Sequence, residues 1–219
     1  MFFSNRQDAG RMLAERLKAH ASRKDVTVLA IPRGGVPIAY EIAKTLGAPL
    51  DVFVARKLGV PGQDELGFGA IASGGVRILA PDIIKAMALS ETQIAGVTAQ
   101  EQRELERRER VYRGARTPLD IAGRTVILVD DGIATGSSML AVISAVRELK
   151  PARIVVAAPV AASDACRRLG LEVDELVCVE RPRFFGAIGE FYADFSQVSD
   201  EEVADLLARG LRDSVSREV

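Results

Sequence analysis

The sequence is poor in cysteine, histidine and aromatic residues, and it contains no long hydrophobic run. Its two cysteines, Cys166 and Cys178, show neither metal-ligand spacing nor a paired framework, so we predict two buried free thiols. The single histidine, His20, lies far from every motif and is predicted to be a packing or surface residue. No stretch of about 18 apolar residues occurs, and the first charge is already at Arg6, which argues against a signal segment. We therefore expect a cytoplasmic protein without a membrane partner.

An excess of positive charge is also missing. The net charge is -1 and the sequence pI is about 6.0, so no overall positive field attracts nucleic acid. Within residues 90–113, glutamates interleave with arginines, which is typical of a solvated helix face. We therefore expect no nucleic-acid partner. This helical stretch is expected to serve either as a lid or as an interface in a homodimer.

The sequence does contain a repeated order of strand, Gly-containing turn and helix. Apolar residues 26–31 precede a helical pattern over 36–46, and apolar residues 125–129 precede another over 137–149. The strand segments lack polar alternation, as expected when both faces of a sheet are covered. This alternation predicts an α/β fold with a doubly wound, mainly parallel sheet and helices on both faces. Loops beyond the carboxyl ends of such strands are where ligands bind.

Residues 126–138 read VILVDDGIATGSS, in which apolar residues lead to the adjacent acids Asp130 and Asp131 and a Gly-containing turn opens a helix. Backbone N–H groups at a helix N-terminus form a cradle for an anion such as a phosphate. Three hydroxyls add donors to it: Thr135, Ser137 and Ser138. Because carboxylates repel phosphate, the acids are better explained as acceptors for neutral ribose hydroxyls. The alternative is a plain turn with Asp131 as helix cap and Asp130 solvated.

This segment resembles the motif with which type I phosphoribosyltransferases bind 5-phosphoribosyl 1-pyrophosphate (PRPP). The resemblance covers roughly the whole core and is closest to the adenine phosphoribosyltransferases. It implies that Asp130 and Asp131 bind the ribose hydroxyls during catalysis. It also implies that the following loop binds the 5-phosphate, through Gly132, Ile133, Ala134, Thr135, Gly136, Ser137 and Ser138.

Two further segments resemble the parts of this family that bind pyrophosphate. In the pentapeptide IPRGG, Arg33, Gly34 and Gly35 match the positions where backbone amides meet the leaving group. Arg56 and Lys57, predicted to end the next core strand, resemble basic residues that bind pyrophosphate. Taken alone, the first segment is also typical of an ordinary turn, and the second of a solvated basic pair.

The resemblance implies a phosphoribosyltransferase that transfers the 5-phosphoribosyl group of PRPP to a nitrogenous acceptor, a nucleobase, and releases pyrophosphate. Its catalytic residues would be Asp130, Asp131, Arg33 and Lys57. Magnesium is the expected cofactor, held mainly by ligand oxygens and water, with the acid pair reaching it only through water or ribose hydroxyls. The alternatives left open are a PRPP-sensing regulatory protein of the same fold and a phosphosugar hydrolase.

We interpret the chain as one domain with two appendages. Its core is expected over about 24–56 and 124–180, a flexible loop and helical insertion over 57–116, and the family's base-recognising hood over 181–198. Asp64 and Glu65 in the Gly-rich loop are candidates for a catalytic acid or base. The sequence GFGAIA in that loop is not interpreted as a dinucleotide motif, because no strand precedes it. Hood side chains expected to stack on the base, or to form a satellite core, are Phe184, Phe185, Phe191 and Tyr192.

Overall fold

A computed structural model describes residues 3–118 and 120–215, apart from the side chains of residues 64, 65 and 215. The strands are β1 (Val26–Ala30), β2 (Leu50–Val52), β3 (Ala55–Val60), β4 (Gln63–Ala72), β5 (Val76–Leu79), β6 (Thr125–Val129), β7 (Arg153–Val160) and β8 (Glu175–Glu180). The α-helices are α1 (Arg6–Arg16), α2 (Gly35–Leu46), α3 (Pro81–Ala86), α4 (Glu91–Arg113), α5 (Ser137–Glu148), α6 (Ser163–Leu169) and α7 (Asp200–Val215).

The centre of the molecule is a five-stranded parallel sheet in the order β2-β1-β6-β7-β8. Every residue of β1 and β6 is buried, which explains their continuous apolar runs. Successive residues of β6 enter different cores: Ile127 and Val129 pack on the side of α2, and Val126 and Leu128 pack on the side of α5. Helices cover both faces, so the predicted doubly wound α/β fold is confirmed.

The loops that follow β1 and β6 meet at the carboxyl edge of this sheet. The two strands are paired in register, and the N–H of Ile31 donates to the carbonyl of Val129 over 2.8 Å. The loop after β6 also lies against the end of β7, because the N–H of Ile133 donates to the carbonyl of Val160 over 2.9 Å. These contacts bring both motif-bearing loops to the edge where sheets of this kind bind ligands.

The Gly-rich segment predicted as a loop over 57–75 is instead part of a second sheet, in which β3, β4 and β5 pair antiparallel. Phe68 and Ile71 of β4 are buried in the main core. Gly69 allows close strand contact, since a Cβ there would lie 2.4 Å from the carbonyl oxygen of Ile78. The loop prediction is therefore wrong. The glycines in this segment allow close strand pairing and do not interrupt the strands.

The helical insertion runs where the sequence predicts it. The Ser90 side chain accepts a hydrogen bond from the N–H of Gln93, and the Gln93 side chain accepts one from the N–H of Ser90. These two bonds form a capping box at the start of α4. Along the helix, Glu104 binds both Arg107 and Arg108. The interleaved charges thus pair with one another on the helix surface.

Cys166 and Cys178 are buried free thiols, as predicted. His20 is also buried, and its Nε2 lies 3.1 Å from Oε2 of Glu175, away from the carboxyl edge of the sheet. It is therefore a packing residue. Within the part of the chain that the structure describes, no helix has the length and apolar character needed to cross a membrane.

Candidate functional site

The loop after β6 carries the acid pair and opens α5. Gly136 is the N-cap of α5 and has a φ of 78°, a conformation that side chains rarely adopt. The N–H of Ser137 lies 3.4 Å from Oγ1 of Thr135, so this hydroxyl turns toward the helix start. Three exposed hydroxyl residues line the start of the helix: Thr135, Ser137 and Ser138. The loop therefore offers hydroxyls and a helix N-terminus, which together favour anion binding beside the acids.

The IPRGG loop after β1 packs directly on the acid loop. A Cβ at Gly34 would lie 1.9 Å from Oδ2 of Asp131, and one at Gly35 would lie 2.5 Å from the carbonyl oxygen of Val129. Side chains do not fit at either position, so these glycines are what allow the two loops to touch. The peptide bond between Pro32 and Arg33 is cis.

Burial dominates the electrostatics of the acid pair. It raises the pKa of Asp130 to about 8, with a further contribution from the neighbouring charge of Asp131. Burial also raises the pKa of Asp131, while the hydrogen bond from Arg6 lowers it. Oδ1 of Asp130 accepts the N–H of Asp131 over 2.9 Å. Because the two titrations are linked, we expect the pair to carry about one negative charge near neutral pH.

Arg6, the first residue of α1, belongs to this site, and sequence reasoning missed it. Its Nε and Nη2 donate to Oδ2 of Asp131 over 3.0 and 2.8 Å, and its Nη1 donates to the carbonyl of Ser196 over 2.7 Å. The residue is 9% exposed. The only sequence signal is a charged residue at the start of a helix, directly after the capping residue Asn5. No local pattern links that charge to an acid 125 positions later.

Arg33 lies at the rim of the site rather than inside it. Its Nη1 is 3.9 Å from Oδ1 of Asp200, the first residue of α7. The other carboxylate oxygen of Asp200 is 3.9 Å from Nη1 of Arg107, and Tyr112 donates its hydroxyl to Oδ1 over 2.8 Å. Arg33 is thus placed where α4 and α7 approach the IPRGG loop.

Arg56 and Lys57 do not end a core strand, and that prediction is wrong. The strand before them, β2, ends at Val52, and both residues lie in β3 of the second sheet. Arg56 binds Glu101 of α4 over 2.6 Å, so α4 engages its guanidinium. Lys57 is exposed, and its side chain lies along Gly67 of β4. The sequence places the pair correctly after an apolar run, but the chain changes sheets before reaching it.

Tyr192 connects the hood to the acid loop. Its hydroxyl donates to the carbonyl oxygen of Asp131 over 2.6 Å, and the side chain is buried. The ring centroid lies 5.3 Å from that of Phe3 and 5.0 Å from that of Phe195. Because other rings cover it, the structure does not support the predicted stacking of Tyr192 on a base.

The other hood aromatics differ in exposure. Phe184 is 92% exposed, whereas Phe185 and Phe191 pack against a small core cluster, with ring centroids 5.5 Å apart. The hood also covers the acid loop, since a Cβ at Gly132 would lie 2.5 Å from Cγ2 of Ile188. Base stacking by these three phenylalanines stays a prediction. The side chains of the acid or base candidates lie outside the described residues: Asp64 and Glu65.

Comparison with known proteins agrees with this geometry. The family model named phosphoribosyl transferase domain matches residues 4–196, a span that includes Arg6, both loops and most of the hood. The chain belongs to this family.

Among relatives, a protein of Mycobacterium tuberculosis with the provisional name phosphoribosyl transferase is 45% identical over 211 residues. That match covers 96% of this chain and 47% of the relative, so the chain spans about half the length of the relative. The crystal structure of TT1426 from Thermus thermophilus superposes with a TM-score of 0.84 at 40% identity, covering 95% of this chain and 99% of that one. The bifunctional protein PyrR of Chloroflexus aurantiacus is 30% identical over 130 residues, covering 58% of this chain and 65% of PyrR.

In this phosphoribosyltransferase-family chain, the structure brings together most of the residues that the sequence singled out. The acid pair, the hydroxyl-bearing loop and Gly34 and Gly35 meet at one edge of the sheet, with Arg33 at its rim. Arg56 is tied to α4, and Phe184 extends into solvent. Arg6 joins the site from an N-terminal segment in which the sequence shows no functional motif.

Proposed function

We propose that this chain binds PRPP and transfers its 5-phosphoribosyl group to a nitrogenous acceptor, a nucleobase, with release of pyrophosphate. One observation carries the proposal. The loop that would bind pyrophosphate touches the loop that would bind ribose 5-phosphate, and the contact is close enough that a Cβ at Gly34 would lie 1.9 Å from Oδ2 of Asp131. PRPP joins a pyrophosphate and a phosphate through one ribose, so it suits two adjacent loops.

The loops divide the recognition of PRPP between them in this proposal. Asp130 and Asp131 accept hydrogen bonds from the ribose hydroxyls, and N–H groups and hydroxyls of residues 132–138 bind the 5-phosphate. The backbone N–H of Gly34 binds the pyrophosphate, whereas the N–H of Gly35 already donates to the carbonyl of Ile31 over 3.1 Å. The Arg33 guanidinium adds charge from the rim. Lys57 lies on the neighbouring sheet and would reach the pyrophosphate from there.

The reaction breaks the bond between C1 of the ribose and the pyrophosphate oxygen, and the electron pair leaves with pyrophosphate. The acceptor nitrogen forms the new bond to C1 and releases its proton to solvent, so the step needs no covalent enzyme intermediate. Catalysis then depends on holding donor and acceptor in line and on stabilising the charge that grows on pyrophosphate. The charge on pyrophosphate would be stabilised by the side chains of Arg33 and Lys57 and by the loop amides.

Magnesium is part of this proposal as a companion of PRPP. Among the described residues, no three His, Cys, Asp or Glu side chains cluster as they would in a closed metal site. The adjacent carboxylates of Asp130 and Asp131, directly before the loop proposed to bind the 5-phosphate, fit a magnesium ion that takes most of its ligands from phosphate oxygens and water. When bound, the ion would neutralise charge on the pyrophosphate, and Asp130 and Asp131 would reach it only through water or ribose hydroxyls.

The test is to incubate the protein with PRPP and magnesium and to measure pyrophosphate release across a panel of purine and pyrimidine bases. A transferase releases pyrophosphate only with its own acceptor. PRPP binding in a calorimetric titration, without pyrophosphate release for any base, would favour the PRPP-sensing alternative. Ribose 5-phosphate formed without an acceptor would favour a hydrolase instead. A matched reaction without protein corrects for the spontaneous breakdown of PRPP.

A further inference from the structure

The N-terminal segment that carries Arg6 is fixed to the hood by its backbone. The N–H of Phe3 donates to the carbonyl of Phe191, and the N–H of Ala193 donates to the carbonyl of Phe3, each over 2.8 Å. The N–H of Asp194 then donates to the carbonyl of Ser4 over 3.0 Å. These bonds set the direction in which the chain enters α1, so the position of Arg6 follows from the hood.

The guanidinium of Arg6 is held on three sides. Two of its nitrogens bind the same oxygen, Oδ2 of Asp131, and the third binds the carbonyl of Ser196. Its central carbon lies 4.0 Å from the ring centroid of Phe195, as in a cation–π contact. The side chains of Arg6 and Asp131 are 10% and 13% exposed. This is a desolvated, charge-assisted pair with little freedom to rearrange.

We propose that Arg6 is a positioning residue of the PRPP site, which fixes Asp131 as an ionised acceptor for a ribose hydroxyl. The inference rests on the proposed function. Arg6 binds only Oδ2, and Oδ1 is the oxygen that it leaves to a ligand. The acid pair thereby becomes asymmetric, because the hydrogen bonds of Arg6 go to Asp131 and Ser196 and not to Asp130.

The chemistry of the carboxyl group explains why such a partner matters. An ionised carboxylate only accepts hydrogen bonds, whereas a protonated one also donates and presents fewer acceptor sites to a hydroxyl. Burial raises the pKa of both acids, and Arg6 is the cation that opposes this effect at Asp131. Removing Arg6 should therefore weaken recognition of the sugar more than recognition of a phosphate group.

This distinction separates a positioning role from a structural one. Pyrophosphate alone carries no ribose, and in the proposed site it binds the amide of Gly34 rather than Asp131. Ribose 5-phosphate carries the hydroxyls but no pyrophosphate. Calorimetric titration of Arg6→Gln, Arg6→Lys and wild type with PRPP, ribose 5-phosphate and pyrophosphate, with magnesium present, tests the proposal.

We expect Arg6→Gln to raise the Kd for PRPP and for ribose 5-phosphate by about tenfold or more, while the Kd for pyrophosphate stays as in wild type. Arg6→Lys should restore part of the loss, because it keeps the charge but lacks the fork that binds one oxygen twice. If Arg6→Gln does not fold, Arg6→Lys alone tests the proposal. It should raise the Kd for PRPP and for ribose 5-phosphate by a smaller factor and leave the Kd for pyrophosphate unchanged. Arg11→Gln is the control, since Arg11 lies on the same helix and its side chain is 64% exposed.

Three results would overturn the inference. Equal loss for all ligands would make Arg6 a structural residue, and unchanged sugar affinity would remove it from the site. Tighter sugar binding in Arg6→Gln would mean that Arg6 competes with the ribose. If wild type binds neither PRPP nor ribose 5-phosphate, the proposed function itself fails, which the wild-type titration shows before any variant is compared.

Discussion

Asp130 and Asp131 are neighbours in sequence but have different surroundings. Asp131 has the Arg6 guanidinium on one oxygen, while Asp130 accepts the N–H of Asp131 and lies half-buried beside a like charge. Substituting Asp131 would therefore disturb folding as well as ligand binding, because it leaves Arg6 buried without its partner. Asp130 is the better residue at which to separate the two effects.

The raised pKa of Asp130 predicts how stability depends on pH. In the unfolded chain this carboxyl titrates near 3.8, and in the folded protein near 8. Between these values the folded state binds more protons, so the contribution of Asp130 is fully present below pH 3.8 and is lost as pH rises through about 8. We expect the free energy of unfolding of Asp130→Asn to decrease less over this pH range. At pH 8 the variant should be more stable than wild type by roughly 1–3 kcal/mol.

Urea unfolding of both proteins at pH 5 and pH 8 measures this difference. Asp164→Asn serves as the control, because the side chain of Asp164 is 81% exposed in an ion pair with Arg167. Equal pH dependence in wild type and Asp130→Asn would show that Asp130 is ionised at neutral pH in the folded protein.

At the scale of elements, ion pairs connect α4 to both sheets. Near its middle, Glu101 binds Arg56 of β3. At its end, Arg113 binds Asp51 of β2 over 2.8 Å, with side chains only 4% and 9% exposed. The second pair connects the helical insertion to an edge strand of the central sheet. Arg113 also binds Glu109 of α4 over 2.6 Å, so removal of Asp51 leaves the buried guanidinium with one carboxylate partner instead of two.

We therefore expect Asp51→Asn to lower the free energy of unfolding by about 1–3 kcal/mol, because the buried Arg113 loses one of its two carboxylate partners. Asp205→Asn is the matched control: Asp205 pairs with Arg209 on α7 at 2.6 Å, but its side chain is 52% exposed. The control substitution should lower the free energy of unfolding by less than about 1 kcal/mol. The check is the urea midpoint of each protein, and a loss at Asp51 no larger than at Asp205 would mean that the pair does not anchor α4.

Considering the whole molecule, the sequence predicts the parts whose structure depends on near neighbours. The apolar runs of β1 and β6 and the periodicity of α2, α4 and α5 are local signals, and the structure has these elements within a few residues of their predicted bounds. The proximity of the two motif loops is also predictable, because the carboxyl ends of parallel strands lie at the same edge of a sheet.

The features that sequence reasoning missed depend on distant contacts. Residues 57–75 look like a loop in sequence because glycine usually interrupts regular structure, yet Gly69 is required by the neighbouring strand β5. Arg6 meets Asp131 only because the N-terminal segment pairs with the hood. Neither contact leaves a local pattern, so only the folded chain reveals it.

The most direct test of the central claim is calorimetric titration with PRPP and magnesium of wild type, Gly136→Val and Gly123→Val. Both glycines have positive φ, 78° and 69°, so valine imposes similar backbone strain at each. Gly136 opens α5 in the proposed phosphate loop, whereas Gly123 precedes β6 at the opposite edge of the sheet. We predict that wild type and Gly123→Val bind PRPP and that Gly136→Val does not. Failure of wild type to bind PRPP, or normal binding by Gly136→Val, would contradict the account.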